Sequence, residues 1–215
     1  MANEGKPIEK RGIGEIIYQY IKKMILNKEI LGGERIPEEQ IAKYFEVSRT
    51  PVREALRNLE KHGLVRIVPR HYAEVVKLQS DATERLGILK LRIDSLAVSL
   101  CVENATDTDC DLLESMAKQI LRLAEGKDLA SVNENDSAFH LKLAELSGNP
   151  FLYQIEQLLD VNVQLLRTTV YTSDAQVTEG LKLHLPLVEA IRKRDREAAV
   201  GLIQQHLRDF YLPGK

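Results

Sequence analysis

The stretch Val47-Ser48-Arg49-Thr50-Pro51-Val52-Arg53-Glu54-Ala55-Leu56 decides how the first third of the chain is read. Ser48 suits a helix N-cap, Pro51 sits near the helix start, and Gly63 stands where a C-terminal glycine belongs, so a helix is predicted over Thr50–His62. Its inward face is Val52, Ala55, Leu56 and Leu59. Arg49 and Arg53 lie four apart on one face, and Arg57 continues it. Ser48 and Thr50 can donate to phosphate oxygens at a helix end that already favours an anion. Arginine at such a position forks onto guanine O6 and N7, worth about 1–3 kcal/mol of discrimination. An isolated arginine pair fits an ordinary solvated helix face better. The order hydroxyl, arginine, hydroxyl, proline, arginine at a helix start is far more specific.

The flanks support a compact unit around this helix. Ile13, Ile16, Ile17, Ile21, Met24 and Ile25 recur at helical spacing over Ile13–Leu26. Leu31-Gly32-Gly33 breaks that pattern, and Arg35 in the following turn is a phosphate candidate. A second short helix fits Pro37–Phe45, with Ile41, Ala42 and Phe45 inward. After Gly63 the period changes: Leu64, Val65, Ile67 and Val68 precede Pro69-Arg70-His71-Tyr72, and Val75 and Val76 follow, which reads as a small hairpin. Three helices and a hairpin make a winged helix-turn-helix over residues 10–78.

Beyond Asp81 no strand signal appears. Breaks at Thr106–Asp111, Gly126–Asp128, Gly148-Asn149-Pro150, Thr172–Asp174 and Arg194–Arg196 divide the remainder into about six helical segments. An all-α antiparallel bundle over residues 81–212 is the simplest packing, making the chain mostly α.

Composition sets the limits. The 215 residues are 44% hydrophobic and 29% charged, the balance of a soluble globular protein. No apolar run approaches the roughly 18 residues of a membrane span, and Met1–Gly12 is charged with no apolar stretch behind it, so no secretory signal is expected. Cys101 and Cys110 form no CxxC pair and read as ordinary thiols of a cytoplasmic protein. Residues 1–80 hold 15 Lys+Arg against 11 Asp+Glu, whereas residues 81–215 hold 15 against 21. The basic excess of the first part suits a polyanion, although it is modest.

Five histidines are present, three of them late in the chain: His140, His184 and His206. Asp136 and His140 are four apart on a segment that reads as helix over Val132–Leu146, so they share a face. Three imidazoles and a carboxylate brought together inside a bundle suit a divalent transition metal. Taken singly, each of these histidines is better explained as a core or surface side chain.

Gly33-Glu34-Arg35-Ile36, Ile41-Ala42, Val47–Leu56, Leu59 and His62-Gly63-Leu64-Val65 together resemble the N-terminal domain of GntR-type bacterial transcription regulators. The resemblance implies that Arg35, Ser48, Arg49, Thr50 and Arg53 contact DNA and that the wing tip, here Arg70 and His71, enters the minor groove. Two positions depart from the family, which usually has glycine where this chain has Glu46 and Tyr72. Without glycine's freedom at positive φ, the wing tip is open to a different conformation.

Asp136-Ser137-Ala138-Phe139-His140 with Asn149-Pro150, His184 ahead of Ala190-Ile191, and His206-Leu207 resemble the FCD domain of the FadR branch. The resemblance implies that Asp136, His140, His184 and His206 bind a metal, commonly zinc, nickel or manganese. It also implies a small organic acid effector whose carboxylate joins the metal. Arg92 matches a family arginine that faces the effector, although a helix-surface or dimer-interface role fits it equally; Arg167 and Tyr171 are further pocket candidates.

The expected function is a sequence-specific regulator, repressor or activator, that reads a palindromic operator as a homodimer under control of that effector. A helical metal-dependent enzyme using the three histidines is the competing class, but no general base or nucleophile motif accompanies them. A DNA-binding protein with a purely structural metal is a third reading.

Overall fold

The computed structural model describes residues 12–126, 128–170 and 179–212, apart from the side chains of residues 168–170. The chain divides into two compact units at Lys77/Leu78.

In the first unit, α1 spans Ile13–Leu26, α2 Glu38–Tyr44 and α3 Arg49–Lys61, and the hairpin pairs β1 Val65–Val68 with β2 Tyr72–Val75. The core faces are those the periodicity sets: Ile17, Ile21 and Ile25 of α1 and Val52, Ala55, Leu56 and Leu59 of α3 are buried. Strand register runs from Val65 opposite Val75 to Val68 opposite Tyr72. The segment ahead of α2 adds an edge to this sheet: Gly33 N–H donates to Val75 O at 2.8 Å and Ile36 N–H to Ala73 O at 2.8 Å. This places Arg35 beside the wing, with its guanidinium 3.9 Å from the Tyr72 ring centroid.

The two family departures carry the turns in different ways. Glu46 takes the left-handed position that ends α2, with φ 53°. Glu46 N–H reaches Lys43 O at 3.2 Å and Val47 N–H reaches Ala42 O at 3.0 Å, a Schellman closure normally left to glycine. In the wing, Tyr72 is a strand residue, and the positive φ (62°) falls on Arg70 instead. Pro69 followed by a residue at positive φ, closed by His71 N–H to Val68 O at 3.1 Å, is a type II turn. The tip therefore dispenses with glycine and holds Arg70 and His71 exposed.

The second unit is all helical among its described residues. Its long helices are α4 Ala82–Asn104, α5 Asp107–Glu125, α6 Leu129–Leu146, α7 Pro150–Val170, α8 His184–Arg192 and α9 Arg196–Tyr211. Polar caps start them: Thr106 and Asp109 form a capping box on α5, and Asp128 and Asp195 cap α6 and α9. Asn149 Oδ1 accepts from the Phe151 and Leu152 amides ahead of α7, where Pro150 has no N–H to satisfy. The core gathers Val98, Cys101, Leu113, Ile120, Phe139, Leu143, Ile191 and Ile203. Cys101 and Cys110 are buried free thiols, and burial followed by the neighbouring Cys110 pushes Cys101 up to about 12. α4 crosses α9 very closely at Gly87, where a Cβ would stand 2.3 Å from Cβ of Tyr211. No described helix is long and apolar enough to cross a membrane.

Candidate functional site

Four side chains from three helices of the second unit meet in its interior. Asp136 and His140 come from α6, His184 from the first position of α8, and His206 from α9. All four are buried, and one potential ligand atom from each lies within 4.8 Å of the others. His184 Nε2 is 3.3 Å from Asp136 Oδ1, and His140 Nε2 is 3.7 Å from Asp136 Oδ2.

The outer nitrogens fix the tautomers. His140 Nδ1–H donates to Asp94 Oδ2 at 2.7 Å, and His206 Nδ1–H donates to the Gly180 carbonyl at 3.0 Å. The Gly180 carbonyl can only accept, and the Asp94 carboxyl also receives Lys90, so Nδ1 is the donor in each ring. The two Nε2 atoms then face each other at 3.3 Å. In the neutral rings these are two lone pairs, an arrangement that calls for a cation between them. His184 makes the same demand: both of its buried ring nitrogens lack a hydrogen-bond partner. The donor set therefore fits a divalent transition metal, with Asp94 and the Gly180 carbonyl orienting two of its ligands.

Electrostatics agrees with a neutral His140 and a neutral His184 beside an ionised carboxylate. Burial holds His140 and His184 well below the ordinary histidine value, and neighbouring histidines add to this. Burial opposes ionisation of Asp136, but Arg167 and the three histidines outweigh it and keep the carboxyl below the usual range. Arg167, itself buried, ion-pairs with Asp136 and reaches Asn133 Oδ1 at 3.4 Å.

A second layer of charge lies behind His140. Lys90 Nζ is 2.7 Å from Asp94 Oδ1 and also pairs with Glu156 of α7. The chain Glu156–Lys90–Asp94–His140 is buried throughout. Burial would lower the Lys90 ammonium, yet Asp94 and Glu156 raise it above its ordinary value, while burial and then Asp94 raise Glu156.

The structure brings Arg167 into the cluster and leaves Arg92 out of it. Arg92 is exposed on α4, two residues from both Lys90 and Asp94 and so on the opposite face. Sequence reasoning missed Lys90, Asp94 and Glu156. A signal was available: Lys90 and Asp94 interrupt the stripe Gly87, Ala97, Val98 and Cys101 that α4 buries. Tyr171 lies outside the described residues.

In the first unit Arg35, Ser48, Arg49, Thr50, Arg53, Arg57, Arg70 and His71 are all exposed. Ser48 occupies the N-cap of α3 without bonding an amide through its side chain, so its hydroxyl is free of that duty. A cleft of about 400 Å³ separates α3 from the wing and is lined by Arg53, Arg57, Arg70 and His71. Its acidic counterweight comes from α2, where Glu39 pairs with Arg49 and Glu38 lies 3.4 Å from Arg53.

Two family descriptions match the chain: "Bacterial regulatory proteins, gntR family" over residues 14–75 and "FCD domain" over residues 89–209. The chain belongs to the GntR family, in its FCD-containing branch. This GntR regulator is 31% identical over 225 residues to the HTH-type transcriptional repressor NanR of Citrobacter rodentium, covering 94% of this chain and 85% of the relative. It is 30% identical over 190 residues to the HTH-type regulator YdhC of Bacillus subtilis, with 88% and 85% covered. In fold it is similar to E. coli McbR/YncC, with TM-score 0.79 at 20% identity over 92% of this chain and 94% of the other. A GntR regulator from Rhodococcus sp. RHA1 superposes with TM-score 0.77 at 19% identity, over 91% and 94%. The domains and relatives are those of HTH-type transcription regulators and not of enzymes, which removes the helical-enzyme alternative.

Proposed function

We propose that this GntR regulator is a cytoplasmic repressor that reads a palindromic operator as a homodimer and is controlled by a small carboxylate bound at a metal in the FCD domain. The NanR relatives are described as repressors. The observation that carries the metal reading is the orphaned state of His184, whose two buried ring nitrogens lack hydrogen-bond partners beside the facing Nε2 atoms of His140 and His206.

Asp136, His140, His184 and His206 would hold zinc, nickel or manganese. Bound there, the metal supplies a Lewis-acidic centre for an anionic oxygen. Arg167 lies against Asp136, where its guanidinium is placed to grip a carboxylate by paired hydrogen bonds. Its neighbours Asn133 and Phe210 hold it in place. Tyr171 remains a further candidate for this pocket.

At the DNA, Arg49 and Arg53 read base edges, Ser48, Thr50, Arg35 and Arg57 hold phosphates, and Arg70 and His71 enter the minor groove. Elemental analysis of the purified wild type and of His184→Ala tests the centre: one divalent metal per chain is expected in the first and a large loss in the second. Equal metal content in the two would remove the site. A metal of purely structural use would raise thermal stability but leave operator binding indifferent to carboxylates.

A further inference from the structure

One face of the wing sheet decides what Tyr72 touches. Arg35 bridges Glu74 across the edge that residues 33–36 add to the hairpin, and Glu74 stands opposite Arg66 of β1. Side chains two apart on a strand share a face, so Tyr72 lies on the face of Glu74 and diagonal to Arg35. The Glu74 carboxylate is taken by Arg66, whose Nε donates to it at 2.9 Å. Arg35 is left to the Tyr72 ring, its guanidinium 3.9 Å from the centroid. Among the described residues its side chain makes no ion pair and no hydrogen bond.

How an arginine is held decides what it can still bind. A carboxylate takes the N–H edge of the guanidinium and offsets its charge, whereas a ring takes only the face. The five N–H donors and the charge of Arg35 therefore stay available to an anion. Arg49 and Arg53 differ. Glu39 pairs with the first and Glu38 lies 3.4 Å from the second, and both contacts must be given up before these arginines reach DNA. Tyr72 also lines the α3–wing cleft with Arg53, Arg57, Arg70 and His71, which ties the held arginine to the same basic surface.

We propose that Tyr72 is a positioning residue for DNA binding: its ring pre-orders Arg35 so that the guanidinium edge meets a backbone phosphate without prior rearrangement. The proposal rests on the DNA-contact reading of Arg35 above. Ordering a long exposed side chain at an interface weakens binding about 2–10-fold, and Tyr72 removes that cost in the free protein. Glycine, usual in the family at this position, has no ring to offer. A phosphate contact carries no sequence information, so the gain applies to every duplex.

Fluorescence anisotropy of the full chain on a duplex selected from a random pool and on its scrambled counterpart, between about 50 and 200 mM salt, tests this. Tyr72→Phe keeps the ring and should bind within twofold of wild type. Tyr72→Leu should weaken both duplexes alike, about 2–10-fold for each protomer bound. Arg35→Ala should flatten the slope of log affinity against log salt by about 0.9 for each protomer. In the Arg35→Ala background Tyr72→Leu should cost nothing further. A merely structural role of Tyr72 would weaken both backgrounds equally, and the cycle subtracts any loss of fold common to both. In the free wild type the Arg35 side-chain N–H protons should resonate upfield of those in Tyr72→Leu, as protons shielded by a ring face do. Equal losses in the two backgrounds, Tyr72→Phe as weak as Tyr72→Leu, or Tyr72→Leu binding like wild type would overturn the role of Tyr72 and leave the regulator standing. A wild type that does not prefer the selected duplex would instead sink the regulator reading, and this proposal with it.

Discussion

Asp94 Oδ2 receives the Nδ1 proton of His140 across 2.7 Å of buried interior, and its other oxygen holds Lys90. The contact leaves His140 Nε2 facing the quartet. Asp94→Ala should weaken divalent-metal affinity about 10–100-fold, the usual effect of losing a group that orients a ligand. Asp94→Glu should recover part of that loss by keeping an acceptor for Nδ1. Competition against a chromophoric chelator measures both, and an Asp94→Ala affinity equal to wild type would show that the contact does not orient the ring.

The metal-free protein should lose stability as pH falls below about 6.5. In the unfolded chain histidine titrates near 6.5, whereas burial holds His140 and His184 well below it when folded. Between those values the unfolded state binds more protons, so unfolding becomes easier as pH drops. Added metal should raise the melting temperature at pH 7.5, by about 2.7 kcal/mol of stabilisation at 100 times Kd. Its effect should shrink at pH 5.5, where protons compete for the same nitrogens. Calorimetry with and without chelator reads both effects, and a metal-free melting temperature identical at the two pH values would contradict the neutral-imidazole assignment.

On the DNA side, Arg49→Ala and Arg53→Ala should each weaken specific operator binding about 5–150-fold without unfolding the first unit, since a lost bidentate base contact costs about 1–3 kcal/mol. Arg57→Ala should weaken all sequences alike and flatten the salt dependence. Glu39→Gln should act oppositely. Glu39 pairs with Arg49 in the free protein, so its neutralisation should tighten binding by up to about fivefold. Fluorescence anisotropy on operator and scrambled duplexes separates these outcomes.

Two backbone substitutions test the turn and the helix crossing. Glu46 sits at φ 53°, so Glu46→Gly should stabilise the first unit by about 1 kcal/mol. Gly87→Ala should cost about 3 kcal/mol, because the new methyl would meet Tyr211 Cβ at 2.3 Å. Thermal unfolding measures both, and a neutral Gly87→Ala would mean that α4 and α9 can separate at little cost.

Helix periodicity and cap chemistry made the elements legible. The first helix is read as Ile13–Leu26, the span observed, and the third is displaced by one residue at each end, because Ser48 and Gly63 mark its limits. The breaks at Gly126–Asp128, Gly148–Pro150 and Arg194–Arg196 fall between helices for the same reason. Convergence was not legible in this way. Nothing local to His184 or His206 says that their helices meet α6, so the quartet depended on resemblance. The same reliance left Arg92 open between the effector pocket and a helix-surface or interface role, and helix phase turns Lys90 and Asp94 inward and Arg92 out. The wing shows a third limit: the sequence left the tip without the usual glycine open to a different conformation, and the structure puts the positive φ on Arg70 after Pro69.

The most direct measurement of the central claim is operator affinity, on a duplex selected from a random pool, for metal-loaded wild type and His184→Ala across a panel of small carboxylates. One carboxylate should change wild-type affinity about 5–150-fold, a coupling of about 1–3 kcal/mol, and leave His184→Ala unmoved. An equal response in the two proteins would contradict control through the metal centre, and so would no response of wild type to any carboxylate.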